Sequence, residues 1–189
     1  MRMATKPAKP ATLHWTRADL ARLPDDGNRY EVLDGRLLVT PQAAFGHQHV
    51  AFALARKLAD YCERHGVGFV VGPGAIIFGR NELQPDVQVC PGALPAASTA
   101  WIRLPRPILV AEVLSESTRR RDLEDKRDAY LRRRKIPDYW IVDLDARLVL
   151  TWKPGSAEPG IVSDVLRWQP RAEFPPLEIR TDSLFPPRG

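Results

Sequence analysis

The sequence predicts a mixed α/β (α+β) domain, a sheet of mixed strand direction with helices on its faces. Three observations carry this prediction. Val50, Leu54, Leu58 and Tyr61 recur at helical spacing. Pro107 to Leu114 is apolar on both faces, as a strand covered on both sides must be. A charged helical stretch separates that run from another Val/Ile-rich strand, the alternation that builds sheets flanked by helices. At 189 residues, the chain suits one domain on a prior of ~150 residues each. Residues 1–13, with prolines at 7 and 10 and no periodicity, are expected to be a flexible N-terminal tail, and 14–189 a single domain.

Taken in order, Thr16 and Asp19 form a capping-box pattern for a short helix ending before Pro24. Tyr30 to Thr40 predicts two strands around Asp34-Gly35, a type I′ hairpin turn. A helix follows from about His47 to Gly66. Phe69 to Phe78, broken by Gly72-Pro73-Gly74, predicts two strands or one strongly bent one. Gln84 to Cys90 is a weakly alternating strand, and 91–106 is a loop. After the central strand comes a basic helix of about 119–134, closed before Pro137. Tyr139 to Val142 and Leu148 to Trp152 pair across the Asp143-Leu144-Asp145-Ala146 turn. The proline-rich remainder, 154–189, is expected to hold one or two edge strands.

Composition excludes several classes. Hydrophobic residues at 44% and charged residues at 27% are ordinary for a globular fold, so wholesale disorder is out. The apolar stretch 66–79 is glycine-broken and 14 residues long, short of the ~20 a membrane span needs. No apolar core follows the basic start, so no secretory signal is expected. Two cysteines, Cys62 and Cys90, make no disulfide framework, and a reducing, cytoplasmic setting fits them best. The net charge of +5 is concentrated: 119–135 holds nine basic and four acidic residues, leaving 19 of each sign elsewhere. Such a patch favours polyanionic partners such as nucleic acid, although a solvated helix face has the same composition.

Chemistry is carried first by Glu112, embedded in the apolar strand. An unpaired buried carboxylate costs several kcal/mol, so it must protonate, pair or bind a metal. Alternation places Ile108, Val110, Glu112 and Leu114 on one face, the acid near the strand's C-terminal end. Asp86, after Pro85, stands at the start of the preceding strand. Two carboxylates on neighbouring strands make a hard-oxygen site suited to Mg²⁺, or Mn²⁺, and the Val113 carbonyl could add a third oxygen. Lys126 lies on the edge of the Leu123-Tyr130-Leu131 stripe, ~60° from Leu123 and ~40° from Tyr130 at helical pitch. It is thus the cation best placed to face the sheet. A lysine snorkelling over the core would have the same position.

These motifs resemble a known family. Pro85-Asp86-Val87, Glu112-Val113-Leu114-Ser115, Asp122-Leu123-Glu124-Asp125-Lys126 and Ile136-Pro137-Asp138-Tyr139-Trp140-Ile141-Val142-Asp143 occur in the order of the bacterial Uma-two family. That family consists of restriction-endonuclease-like proteins of the PD-(D/E)XK nuclease superfamily. Tyr30 to Gly35 and Ser183-Leu184-Phe185 resemble its ends, so the likeness covers about 15–186. The resemblance implies a restriction-endonuclease-like sheet flanked by helices. It implies that Asp86 and Glu112 bind the metal, that Lys126 is the catalytic lysine, and that Glu31 is a further acid at the site. Leu114, two residues after Glu112, departs from the superfamily's E-x-K element, so the lysine must come from the helix. The expected activity is Mg²⁺-dependent hydrolysis of DNA phosphodiesters. Arg119, Arg120, Arg121, Arg132 and Arg133 would grip neighbouring phosphates, and His47 resembles a recurrent family histidine that could contact phosphate. Cutting two strands makes a homodimer plausible.

Other chemistries lack their signatures. His47 and His49 diverge by ~200° on a helix and cannot share a metal there. No Gly-x-Ser-x-Gly elbow and no Walker loop occur, so a serine nucleophile and nucleotide hydrolysis are poor alternatives, and no small-molecule cofactor is expected. Asp143 reads as a turn-former, and Ser115 as a cap or a phosphate contact. Two alternatives remain: a nucleic-acid-binding or interaction protein with a degenerate, non-catalytic fold, and a metal-dependent hydrolase of another substrate.

Overall fold

The structure, a computed structural model, describes residues 14–116 and 118–187. The tail expected at 1–13 lies outside the described residues. α1 (Arg17–Leu20) opens on a capping box in which the Asp19 carboxylate accepts the Thr16 backbone N–H at 2.9 Å. β1 (Arg29–Leu33) and β2 (Arg36–Thr40) form the predicted hairpin, Asp34 and Gly35 taking φ of 52° and 75° as a type I′ turn requires. α2 (Phe45–His65) begins slightly before the expected start and ends where Gly66 turns left-handed, φ 64°. Cys62 is buried with Leu58 and Tyr61, because the covered arc of α2 is wider than its four-residue apolar stripe suggests.

The segment broken at Gly72 divides into β3 (Gly68–Val71) and β4 (Ile76–Phe78), which join different sheets. A Cβ on Gly72 would overlap the Asp86 carbonyl oxygen, so glycine alone allows this close pass. β5 (Asn81–Leu83), a polar triplet with no periodic signal, was not expected; it completes a four-stranded sheet ordered β2-β1-β5-β4. The larger sheet is ordered β10-β9-β8-β7-β6-β3. Its members are β6 (Val87–Pro91), β7 (Leu109–Leu114), β8 (Asp138–Asp143), β9 (Leu148–Trp152) and β10 (Gly160–Val162). Only β7 and β8 run parallel; the other neighbours are antiparallel. β11 (Val165–Trp168) and β12 (Leu177–Arg180) form a separate two-stranded ribbon. Among the described residues the C-terminal region therefore holds three strands, one more than expected, the last hidden in sequence behind Pro175-Pro176.

Between β7 and β8 the chain runs through α3, helical over 119–133. Two stretches of it, Arg121–Lys126 and Ala129–Arg133, are wound with wide i→i+5 turns. Such turns are rare and concentrate at functional sites. They bring i and i+5 side chains together, as in the 3.1 Å bond from Arg133 Nε to Asp128.

The large sheet is covered on both sides. Leu109, Ala111 and Val113 of β7 pack with α2 and the β11–β12 ribbon through Leu54, Leu58, Leu166 and Trp168. Val110 and Leu114 pack on the other side with Tyr130 and Leu131 of α3 and with Leu33 and Leu83 of the small sheet. Among the described residues no helix is long and apolar enough to cross a membrane. Burial pushes the Cys62 and Cys90 thiols up, to about 11 and about 12, so both are inert core groups.

Candidate active site

The α3 side of β7 carries one polar side chain, Glu112, 1% exposed. The β6–β7 register pairs Val87 with Ala111. One residue further, Asp86 falls opposite Glu112, on the same face. The backbone confirms the approach: the Val113 N–H donates to Asp86 Oδ2 at 2.8 Å. Asp86 and Glu112 both line a cleft of about 660 Å³, with Val113, Ser115 and Thr118 beside them and α2 forming the opposite wall.

Behind Glu112 stands Lys126. Its Nζ lies 3.0 Å from Glu112 Oε1, 3.1 Å from Glu31 Oε1 and 3.5 Å from Asp122 Oδ1. The lysine is 1% exposed and does not line the cleft. Burial would lower its pKa, but Glu112, Glu31 and Asp122 raise it above the ordinary lysine value, so it stays an ammonium. Tyr130 Oη also donates to Glu112 Oε1, at 3.1 Å. Glu31 reaches the cluster from β1, and its Oε1 accepts the Gln84 N–H at 2.7 Å.

Asp86 has its own partners. Arg29 Nη1 lies 2.8 Å from its Oδ1, and His47 Nε2 lies 3.2 Å from its Oδ2. Burial alone would raise this carboxyl, yet the hydrogen bond from His47 and the charge of Arg29 hold it well below the usual carboxylate range. Glu112 goes the other way. Burial pushes it up to about 8 against the pull of Lys126, with Asp86, Asp122 and Glu31 adding to the rise. Burial also raises Asp122, opposed by Lys126 and the Thr118 hydroxyl. Paired titratable groups driven apart in this way mark functional sites.

The cluster holds more acids than cations. Four buried carboxylates (Glu31, Asp86, Glu112 and Asp122) face two permanent cations, Arg29 and Lys126. Glu31 Oε2 is buried with no hydrogen-bond partner among the described residues, and Asp122 Oδ1 has only the long 3.5 Å ion pair with Lys126. That excess fits a divalent cation between Asp86 and Glu112. Two carboxylates completed by water are the usual Mg²⁺ arrangement. Among the described residues no group of three His, Cys, Asp or Glu side chains makes a preformed cage, because Lys126 fills the space that Glu31 and Asp122 share with Glu112.

The other sequence-predicted residues fall outside the cleft. Arg119 pairs with Asp143 at 2.9 Å, Arg120 with Glu124 at 3.2 Å and Arg132 with Asp128 at 3.5 Å. Arg133 pairs with Asp34 and Asp128, and Arg121 donates to the Val39 carbonyl and the Thr40 hydroxyl. The five arginines therefore brace acids and β2 and do not line the cleft. Asp143 Oδ1 accepts the N–H groups of Asp145 and Ala146, closing its turn. His49 is exposed beside Phe45. Sequence reasoning gave Arg29, Asp122 and Tyr130 no place in the site. For Asp122 the available signal was its i, i+4 spacing to Lys126; Arg29 had no local signal.

A family model described as "Uma2: Putative restriction endonuclease" matches residues 17–182. Among solved structures, the chain resembles a crystal structure from Anabaena variabilis described as a putative nuclease belonging to DUF820. Identity is 16% and the TM-score 0.70, with 90% of this chain and 97% of that one covered. At that identity the likeness shows the fold. A search of the curated proteins finds no match.

Proposed function

The chain belongs to the Uma2 restriction-endonuclease family, and from that premise we propose that it is a divalent-metal-dependent endonuclease hydrolysing phosphodiester bonds in DNA. The observation that carries this reading is the pair of carboxylates, Asp86 and Glu112, facing one cleft from adjacent strands with the Lys126 ammonium 3.0 Å behind Glu112. Asp86 and Glu112 would hold Mg²⁺ or Mn²⁺. When bound there, the ion supplies Lewis-acid polarisation of a phosphoryl oxygen and a more acidic water.

The protein's own groups do the rest. The Val113 N–H and His47 keep Asp86 aimed at the cleft. Lys126 and Tyr130 fix the Glu112 carboxylate and oppose the burial that raises its pKa. Because Lys126 is sealed from the cleft, its charge acts on the reacting phosphate through Glu112. The low-dielectric surroundings strengthen that effect and require no reorganisation during reaction. Two such sites related by a two-fold axis would cut both strands of a duplex.

The test is incubation of purified protein with supercoiled plasmid and Mg²⁺ or Mn²⁺. Wild type should nick or linearise the plasmid, and Glu112→Gln, which keeps the side chain's shape, should fall to background. Equal cutting by both would place the site elsewhere.

One observation favours a second reading, a binding protein on a degenerate nuclease fold. Asp86 is already paired with Arg29 and His47, and Glu112 with Lys126. Metal titration separates the two, since binding to the folded state alone adds ~2.7 kcal/mol of stability at a hundredfold excess over Kd. A binding-only protein would show no such rise in melting temperature.

A further inference from the structure

The cleft is lined by five carboxylates: Asp86, Glu112, Glu116, Asp122 and Asp145. Among the described residues, Arg29 is the only arginine or lysine in its lining. A phosphodiester entering such a space meets repulsion unless a fixed cation receives it. The arginine-rich face of α3 lies outside the cleft, its members paired with Asp143, Glu124, Asp128, Asp34 and β2, so a phosphate seated inside meets Arg29 first.

Arg29 is built for the task. It opens β1 and reaches across to the start of β6, where Nη1 meets Asp86 Oδ1 at 2.8 Å. Its Nε is buried and finds no acceptor among the described residues. A guanidinium presents five donors in a planar fork that matches phosphate oxygens, and it stays charged at any working pH. Asp86 does not depend on it for position, since Oδ2 is held independently by the Val113 N–H and by His47.

We propose that Arg29 is the phosphate-binding arginine of the cleft, its guanidinium contacting the non-bridging oxygens of the phosphodiester seated beside Asp86 and Glu112. The inference rests on the nuclease reading and adds the group that receives the substrate. Because Arg29 and a divalent cation are both positive and both neighbour Asp86, removing Arg29 should not weaken metal binding. It should leave it unchanged or tighten it.

The experiment compares wild type, Arg29→Ala, Arg29→Lys and Glu112→Gln. Three quantities are read: the Mg²⁺-linked melting temperature, the anisotropy of a labelled short DNA duplex in the absence of metal, and plasmid cleavage. Arg29→Ala should keep the Mg²⁺-linked rise, at an equal or lower midpoint concentration. It should bind duplex about tenfold more weakly, in the range of one lost charge-assisted contact. Cleavage should fall on the order of a hundredfold, as when one donor to a developing negative charge is removed. Arg29→Lys should recover duplex binding better than cleavage, having charge without the fork. The inference is overturned if Arg29→Ala loses the metal-linked rise together with activity, since the residue then merely positions Asp86. It is also overturned if duplex binding and cleavage match wild type. Should Arg29→Ala fail to fold, Arg29→Lys decides: full cleavage at unchanged metal response rejects the fork, and reduced cleavage supports it. If wild type cuts no DNA in any metal, the nuclease reading fails separately, and duplex binding by Arg29→Ala still accepts or rejects the phosphate contact.

Discussion

The two faces of β7 do different work. Toward α2 the strand presents Leu109, Ala111 and Val113 to an apolar layer closed by Trp140, Leu166 and Trp168. Toward α3 it presents Val110, Glu112 and Leu114, and the middle position gathers Lys126, Glu31, Asp122 and Tyr130 around it. Both faces are buried, yet only one is electrically loaded. Burial on the first is stabilising in proportion to area. On the second, each charge depends on its partners, and loss of one leaves the others exposed to a low-dielectric surround. The loaded face brings Glu112 to the cleft. Apolar packing on one side of the strand thus supports a strained electrostatic arrangement on the other.

The contrast is broken most severely at Lys126. Lys126→Ala removes the cation shared by Glu31, Glu112 and Asp122, and it should cost ~3–5 kcal/mol, the penalty of leaving buried charges uncompensated. Urea denaturation reads this directly, and part of the loss should return at low pH as the carboxylates protonate. Loss of cleavage in this variant would therefore mix instability with chemistry, and Glu112→Gln is the cleaner probe. On the opposite face, Leu109→Ala should cost ~2–5 kcal/mol through the cavity it leaves. Its deficit should not vary with pH, and cleavage below the melting transition should match wild type.

A smaller effect sharpens the comparison at Asp138, an acid on the apolar side. Its Oδ2 accepts the Trp168 Nε1–H at 3.2 Å, and burial raises its pKa against the pull of that bond. A raised folded-state pKa contributes stability below the unfolded value, near ~3.9, and that contribution is lost as pH rises through the folded value. Asp138→Asn keeps an acceptor for Trp168 and removes the ionisation. It should melt slightly higher than wild type at pH 7, with the gap closing as pH falls toward 4.

Much of this was legible in the chain itself. The Asp34-Gly35 turn, the period of α2 and the doubly apolar β7 are local signals, and local rules read them correctly. Glu112 stood out because a carboxylate inside such a strand has few physical options, and Lys126 because helical pitch turned it toward the sheet. What could not be read depends on approach between distant segments. Arg29 and Asp86 are 57 residues apart, and Arg133 and Asp34 are 99 apart. Counting charge over 119–135 reveals an excess but not which acids absorb it. β5 was invisible because three polar residues carry no period.

Gly72 shows how a residue without a functional group can govern reactivity. The chain leaves β3 so close to the Asp86 carbonyl that even a methyl group must push one backbone away from the other. The displaced partner is the strand entry that aims Asp86, so Gly72→Ala would be felt as a misaligned carboxylate while every polar group remained in the sequence. Tolerance at this position is set by clearance alone, and an inventory of chemically active side chains would overlook it.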